Sequence, residues 1–173
     1  MQSTNTNVQG VQVGQLAPDF TLEDENGNRI TLSELRGQPV VLIFYPFDWS
    51  GICTKEMCTI RDNYNLWQAT GARVFGISRD SKYSHRAWKE HLGLGYSLLA
   101  DLRGDVARLY GAWNEQAYRA DRMTVVIDPE GIVRYVIHND AGTMRDMGEA
   151  LRAVREIASA LAPAHAPTGD ATE

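Results

Sequence analysis

The sequence predicts an α/β domain: one central mixed β-sheet flanked by helices and entered through an N-terminal β-hairpin. Three observations carry this. Strand-length apolar runs alternate with helix-period segments along most of the chain. The last two strands follow one another across a tight turn, Asp128-Pro129-Glu130-Gly131, so part of the sheet is antiparallel. No internal repeat or linker divides the 173 residues, a length suited to one domain with a sizeable core.

The elements follow in order. Residues 1–11 are mostly polar and read as a flexible tail before a domain over 12–161. Residues 20–23 and 28–32 form the expected hairpin, with Asn26, Gly27 and Asn28 carrying its turn. Residues 31–35 start one helical turn, capped by Thr31 or Ser33. Residues 39–47 are rich in Val, Ile, Phe and Tyr and read as a buried central strand. The longest helical pattern runs from Ser50 to about Gly71. A strand over 73–78 and a helix to about His91, capped by Asp80-Ser81, come next. A short strand over 97–100 and a short helix over 105–111 lead to two strands over 122–128 and 132–137. An amphipathic helix over 144–161 closes the domain, and the Pro/Ala/Thr-rich residues 162–173 read as a second flexible tail.

Bulk composition excludes several functions. Hydrophobic residues are 43% and charged residues 23%, which is globular rather than disordered or fibrous. A formal net charge of -5 gives no general attraction to nucleic acid or to an anionic membrane. The first ten residues have no basic start and no apolar segment, so they do not read as a secretory signal, and no apolar run is long enough to span a bilayer. The expectation is a cytoplasmic protein without nucleic-acid or membrane partners. Cys53 and Cys58 are its only cysteines, and a bridge across so short a loop adds little stability. They read as catalytic, redox-active or buried thiols. No metal site or cofactor is expected. The cysteines and His85, His91, His138 and His165 lack paired-ligand spacing, and each histidine reads as a surface or helix-end residue. Gly93-Leu94-Gly95 is too short and wrongly placed for a nucleotide loop.

The chemistry concentrates in Tyr45-Pro46-Phe47-Asp48-Trp49-Ser50-Gly51-Ile52-Cys53-Thr54-Lys55-Glu56-Met57-Cys58. A buried strand ends here and a helix begins near Ser50, so Cys53 falls in the first helical turn. Free N–H groups and the helix dipole favour negative charge there, and hence a thiolate. A cysteine so placed also serves as a small buried hydrophobe, and position alone does not decide between the two.

The spacing of Pro46, Ser50 and Cys53 resembles the Pro-x-x-x-Thr/Ser-x-x-Cys signature of peroxiredoxins. Ala17-Pro18-Asp19-Phe20, the strand through Tyr45 and Arg122 opening a late strand also stand in that family's order, so the resemblance covers residues 13–157. It implies a thioredoxin-like fold and a thiol peroxidase acting on hydrogen peroxide or organic hydroperoxides. It implies that Cys53 is the peroxidatic nucleophile. Ser50, where the family more often has Thr, would hold the peroxide. Pro46 would shield the thiolate from water, and Arg122 would stabilise it together with the leaving oxygen. Glu56 matches a position where a carboxylate orders the pocket arginines, although an acid is also at home in a first helical turn. Taken singly, Pro46 ends a strand, Ser50 caps a helix and Arg122 is a surface charge; together and in order they form a site.

Two subgroups share these features. Cys-x-x-x-x-Cys spacing resembles the Q-type (bacterioferritin comigratory protein) group, in many of which the second cysteine is the resolving thiol. Ser50-Gly51-Ile52-Cys53 and the segment from Tyr110 to Ala117 resemble the one-cysteine alkyl hydroperoxidase E group. The chain departs from both patterns, which leaves open how its oxidised cysteine is recycled. On a helix Met57, Ile60, Tyr64 and Trp67 share a stripe with Cys53, while Cys58 lies roughly 140° away among polar residues. A polar placement suits a redox role for Cys58. Five helical residues rise about 7.5 Å, so a Cys53–Cys58 bond requires the helix start to unwind. The reductant is then a thioredoxin-like protein; in a one-cysteine cycle it is a small thiol or another protein. A non-enzymatic redox sensor on the same scaffold is the remaining alternative. A thioredoxin-like reductase fits poorly, because Cys-x-x-Cys is missing. The assembly expected is a monomer or a homodimer, the latter if Trp49 is exposed.

Overall fold

The computed structural model describes residues 10–161. Its strands are β1 (Thr21–Asp24), β2 (Arg29–Thr31), β3 (Val40–Phe44), β4 (Arg73–Ser78), β5 (Ser97–Ala100), β6 (Trp113–Asn114), β7 (Arg119–Ala120), β8 (Arg122–Ile127) and β9 (Val133–Asn139). The helices are α1 (Gly51–Asp62), α2 (Tyr64–Gln68), α3 (Lys82–Leu92), α4 (Asp105–Tyr110) and α5 (Met147–Leu161), with a 3-10 turn at Leu32–Leu35. Seven strands form one sheet in the order β2-β1-β5-β4-β3-β8-β9. β3 runs parallel to β4 and antiparallel to β8, so the sheet is mixed, as expected.

β3 lies inside the sheet and all five of its residues are buried. Its side chains alternate between the two faces. Leu42 and Phe44 join Phe75, Ile77, Tyr110 and Val125 on one face. Val41, Ile43 and Tyr45 join Cys53, Met57, Ile60, Trp88 and Val154 on the other. Helices therefore cover both faces, with α1, α3 and α5 on the second and α4 on the first. α1 is thus clamped by its own apolar stripe to the sheet.

Several expectations are corrected in detail. The single helix expected from Ser50 to Gly71 is broken at Asn63, whose φ of -117° and ψ of 19° lie outside helical values. The apolar stripe survives the break, because Cys53, Met57, Ile60 and Trp67 are all buried. Thr31 holds the N-cap position of the turn after β2, as expected, but its Oγ1 pairs with Thr21 Oγ1 at 2.7 Å, and it is Asp19 Oδ1 that accepts from the Ser33 N–H at 2.9 Å. β6 and β7 form a hairpin that the sequence does not announce, since two-residue strands carry no readable period. α5 starts at Met147 rather than 144, because Arg145 is drawn into the sheet by polar contacts. Val11, the last residue of the expected N-terminal tail, is buried and its N–H donates to Tyr110 O at 3.2 Å. The rest of that tail up to residue 9, and the tail over 162–173, lie outside the described residues. No helix among the described residues is long and apolar enough to cross a membrane.

Candidate active site

The site forms where β3 ends and α1 begins. Tyr45 and Pro46 stay buried as the strand runs out; Phe47 and Trp49 are exposed, and Trp49 has a φ of 71°. Ser50 is the N-cap residue in extended conformation, and the first helical bond runs from the Thr54 N–H to Ser50 O at 2.9 Å. The N–H groups of Gly51, Ile52 and Cys53 therefore precede the helical ladder and crowd positive partial charge at the helix start. Cys53 is the third residue of α1 and fully buried.

Arg122 is the first residue of β8, whose register sets Met123 opposite Phe44 at the end of β3. This brings Arg122 under the start of α1. Its Nη1 donates to Cys53 Sγ at 3.1 Å and to Glu56 Oε1 at 2.5 Å, while its Nε donates to Ala141 O at 2.7 Å. Glu56, one turn beyond Cys53, is also claimed by Arg145: the Arg145 Nε reaches Glu56 Oε2 at 2.8 Å and the Arg145 backbone N–H reaches the same oxygen at 2.9 Å. Arg145 further donates to Phe44 O at 2.6 Å, Met123 O at 3.0 Å and Thr124 Oγ1 at 3.1 Å. Burial pushes the Arg145 guanidinium below its usual range, and the Glu56 carboxylate opposes that. Two buried guanidiniums against one carboxylate leave a surplus positive charge facing the sulfur.

Ser50 holds the N-cap position without a side-chain cap bond. Its Oγ accepts no bond from the first turn and is buried without a hydrogen-bond partner among the described residues. A buried hydroxyl left unpaired is costly; this one lies three residues before the thiol. Cys58 stands apart. It is a free thiol, half-buried, outside the core cluster that holds Cys53, on an unbroken α1.

The structure therefore joins Cys53, Arg122 and Glu56 by direct bonds, sets Ser50 and Pro46 in the adjoining turn, and leaves Cys58 unbonded to that cluster. Sequence reasoning missed Arg145, which stands at the edge of the last amphipathic pattern with no local mark of burial. It also misplaced His85, which is fully buried rather than at the surface, because Asp48 and Leu99 O absorb its two ring nitrogens. The shared helix face of His85 and Trp88, three residues apart, was the available signal. His91 and His138 are exposed, as expected, and His165 lies outside the described residues.

A thiol at the head of a helix, under a guanidinium, on a thioredoxin-like mixed sheet marks the class of thiol peroxidases. Comparison with known proteins agrees. The chain belongs to the AhpC/TSA family, whose model matches residues 13–136. It is 36% identical over 148 residues to the chloroplastic peroxiredoxin Q of Triticum aestivum, covering 85% of this chain and 68% of that one. It is 38% identical over 151 residues to peroxiredoxin 2 of Thermoplasma acidophilum, covering 84% and 75%. The crystal structure of the peroxidoxin BcpB from Mycobacterium tuberculosis superposes with a TM-score of 0.76 at 32% identity, covering 85% of this chain and 98% of that one. The chain is accordingly an enzyme, a peroxiredoxin that reduces peroxides with electrons from a thiol.

Proposed function

We propose that Cys53 is the peroxidatic nucleophile and that Cys58 resolves it. The observation that carries this reading is Arg122 Nη1 at 3.1 Å from Cys53 Sγ, beside a helix start whose N–H groups are free of the ladder. The surplus positive charge favours the thiolate and the negative charge that grows on the departing oxygen. In the first step the Cys53 thiolate attacks one peroxide oxygen. An S–O bond forms and the O–O bond breaks; its electron pair leaves with the distal oxygen, which takes a proton and departs as water or an alcohol. Ser50 Oγ is supported as the hydroxyl that holds the peroxide, and buried Pro46, without an N–H to offer, as the wall that keeps water off the sulfur. Glu56 orders both arginines.

In the second step the Cys58 sulfur attacks the Cys53 sulfenic acid, an S–S bond forms and water leaves. A thioredoxin-like protein then reduces the disulfide by exchange. The polar-side, half-buried placement of Cys58 supports this route. A second reading has its own support: α1 is held against the sheet by buried Met57 and Ile60, and the Tyr96 hydroxyl donates to Met57 O at 2.8 Å. A helix so anchored favours a one-cysteine cycle with an outside thiol. The exposed Trp49, its ring tilted against that of His91 with centroids 5.2 Å apart, is where a second copy would pack if the enzyme is a homodimer rather than a monomer. Two cysteines on one unbroken helix serve redox chemistry rather than a structural bridge, which suits a reducing compartment such as the cytoplasm.

Peptide mapping after one equivalent of peroxide tests the cycle. A Cys53–Cys58 linked peptide is expected; a persistent Cys53 sulfenic acid without that link makes Cys58 a bystander.

A further inference from the structure

The turn between β3 and α1 has little apolar packing of its own, since Phe47 and Trp49 are exposed, yet Asp48 between them is buried. Its carboxylate accepts three hydrogen bonds: from the Tyr45 hydroxyl at 2.5 Å, the Ser84 hydroxyl at 2.9 Å and His85 Nδ1 at 2.7 Å. Its backbone N–H donates to Asp80 Oδ2 at 2.9 Å, and Asp80 is itself held by the Ser78 hydroxyl at 2.5 Å. His85 Nε2 faces Leu99 O at 3.0 Å. Both imidazole nitrogens thus face oxygen acceptors. Burial, then the Asp48 charge, pushes the Tyr45 hydroxyl well above its usual range, so it remains a donor.

The fold makes room for this arrangement. A Cβ at Gly76 of β4 would sit 3.2 Å from Tyr45 Cε1 and 2.7 Å from Leu98 Cδ2, so the glycine allows the tyrosine ring to reach Asp48. One residue beyond Asp48, Trp49 has a φ of 71°. A bulky residue holds such a backbone only where its surroundings over-determine it. The next residue is Ser50, with its unpaired buried hydroxyl. Among the described residues, no hydrogen bond is shared between this cluster and the one around Cys53, Arg122 and Glu56.

We propose that Asp48 and His85 are positioning residues: their buried pair ties the turn to β3, β4 and α3 and so sets Ser50 Oγ where a peroxide oxygen meets the Cys53 sulfur. This rests on the roles given above to Cys53 and Ser50. Neither Asp48 nor His85 touches the reacting atoms. Their action runs through the backbone of the turn, where a displacement of about 1 Å costs up to about a hundredfold in rate.

The test compares two reactions of the same sulfur in the full-length chain. Stopped-flow oxidation by hydrogen peroxide depends on the Ser50 placement. Alkylation of Cys53 by iodoacetamide, followed by peptide mass spectrometry, depends on the thiolate and its access but not on a peroxide-holding hydroxyl. Asp48→Asn is expected to slow peroxide oxidation about tenfold or more while alkylation changes less than about twofold. Ser84→Ala removes one donor to Asp48 at a helical position that favours alanine, and is expected to lower the same ratio by about two- to threefold. If Asp48→Asn does not fold, Ser84→Ala decides alone. An unchanged ratio, including a parallel fall of both rates, overturns the positioning role and leaves the function intact. If the unsubstituted protein is not oxidised at Cys53, the functional reading fails, and the positioning role fails with it.

Discussion

Cys53 and Cys58 sit on the same helix, five residues apart, in opposite surroundings. Cys53 is fully buried, within 3.1 Å of a guanidinium, and fixed by the apolar stripe of α1. Cys58 is half-buried, outside the core cluster, and free. A thiol that must attack a small uncharged oxidant gains from a preorganised electrostatic site. A thiol that must meet a partner sulfur gains from mobility and access instead. On the proposed cycle one helix serves both requirements, and its first turns open only when Cys53 and Cys58 bond.

The strongest break in this contrast is Cys53→Ser, expected to abolish peroxide oxidation; retained fast decay of peroxide in a single-turnover experiment would sink the assignment. Arg122→Met comes next. It removes the cation beside the sulfur while keeping some of the side chain's bulk, and the same step should slow by about 10²–10³. An unchanged rate constant would place Arg122 outside the chemistry despite its contact. Glu56→Gln acts on stability more than on rate. It leaves the buried Arg122 and Arg145 without their carboxylate, and losing one partner of a buried ionic cluster costs about 3–5 kcal/mol. Urea unfolding measures it; a loss below about 1 kcal/mol would mean that the arginines relax to other partners.

How much of this was legible in the sequence depends on whether the signal was local. Central strands such as β3 and β4 are continuous apolar runs, and their bounds lie within a few residues of expectation. Cys53, Ser50 and Pro46 lie within one short motif, and Arg122 opens a strand with a clear pattern. Arg145 had no such mark. Its role comes from chain return, which sets the segment before α5 against the end of β3. Asp48 is equally silent between two exposed aromatics, because its burial is decided by α3 packing over the turn. The break at Asn63 was hidden for another reason: the apolar stripe continues across it, so periodicity shows one helix where the backbone makes two.

The smallest expected effect is also the most discriminating. Cys58→Ser should leave the first oxidation of Cys53 within about twofold, since Cys58 makes no bond to Cys53, Arg122 or Glu56 and exchanging a thiol for a hydroxyl at a half-buried site costs little. Turnover with a thioredoxin-like donor should stop, while over-oxidised Cys53 accumulates. The physical reason is the helix itself: an axial rise of about 7.5 Å separates the two residues, on different faces of α1, so their bond forms only after its first turns unwind. Amide exchange across Ile52 and Thr54 through Asp62 should therefore be faster in the oxidised wild type than in the reduced protein, and oxidised Cys58→Ser should keep the slow exchange of the reduced state. If the wild type shows no acceleration on oxidation and Cys58→Ser turns over normally with a small thiol, the two cysteines do not form a pair, and the contrast between them is that of one catalytic residue and one surface neighbour.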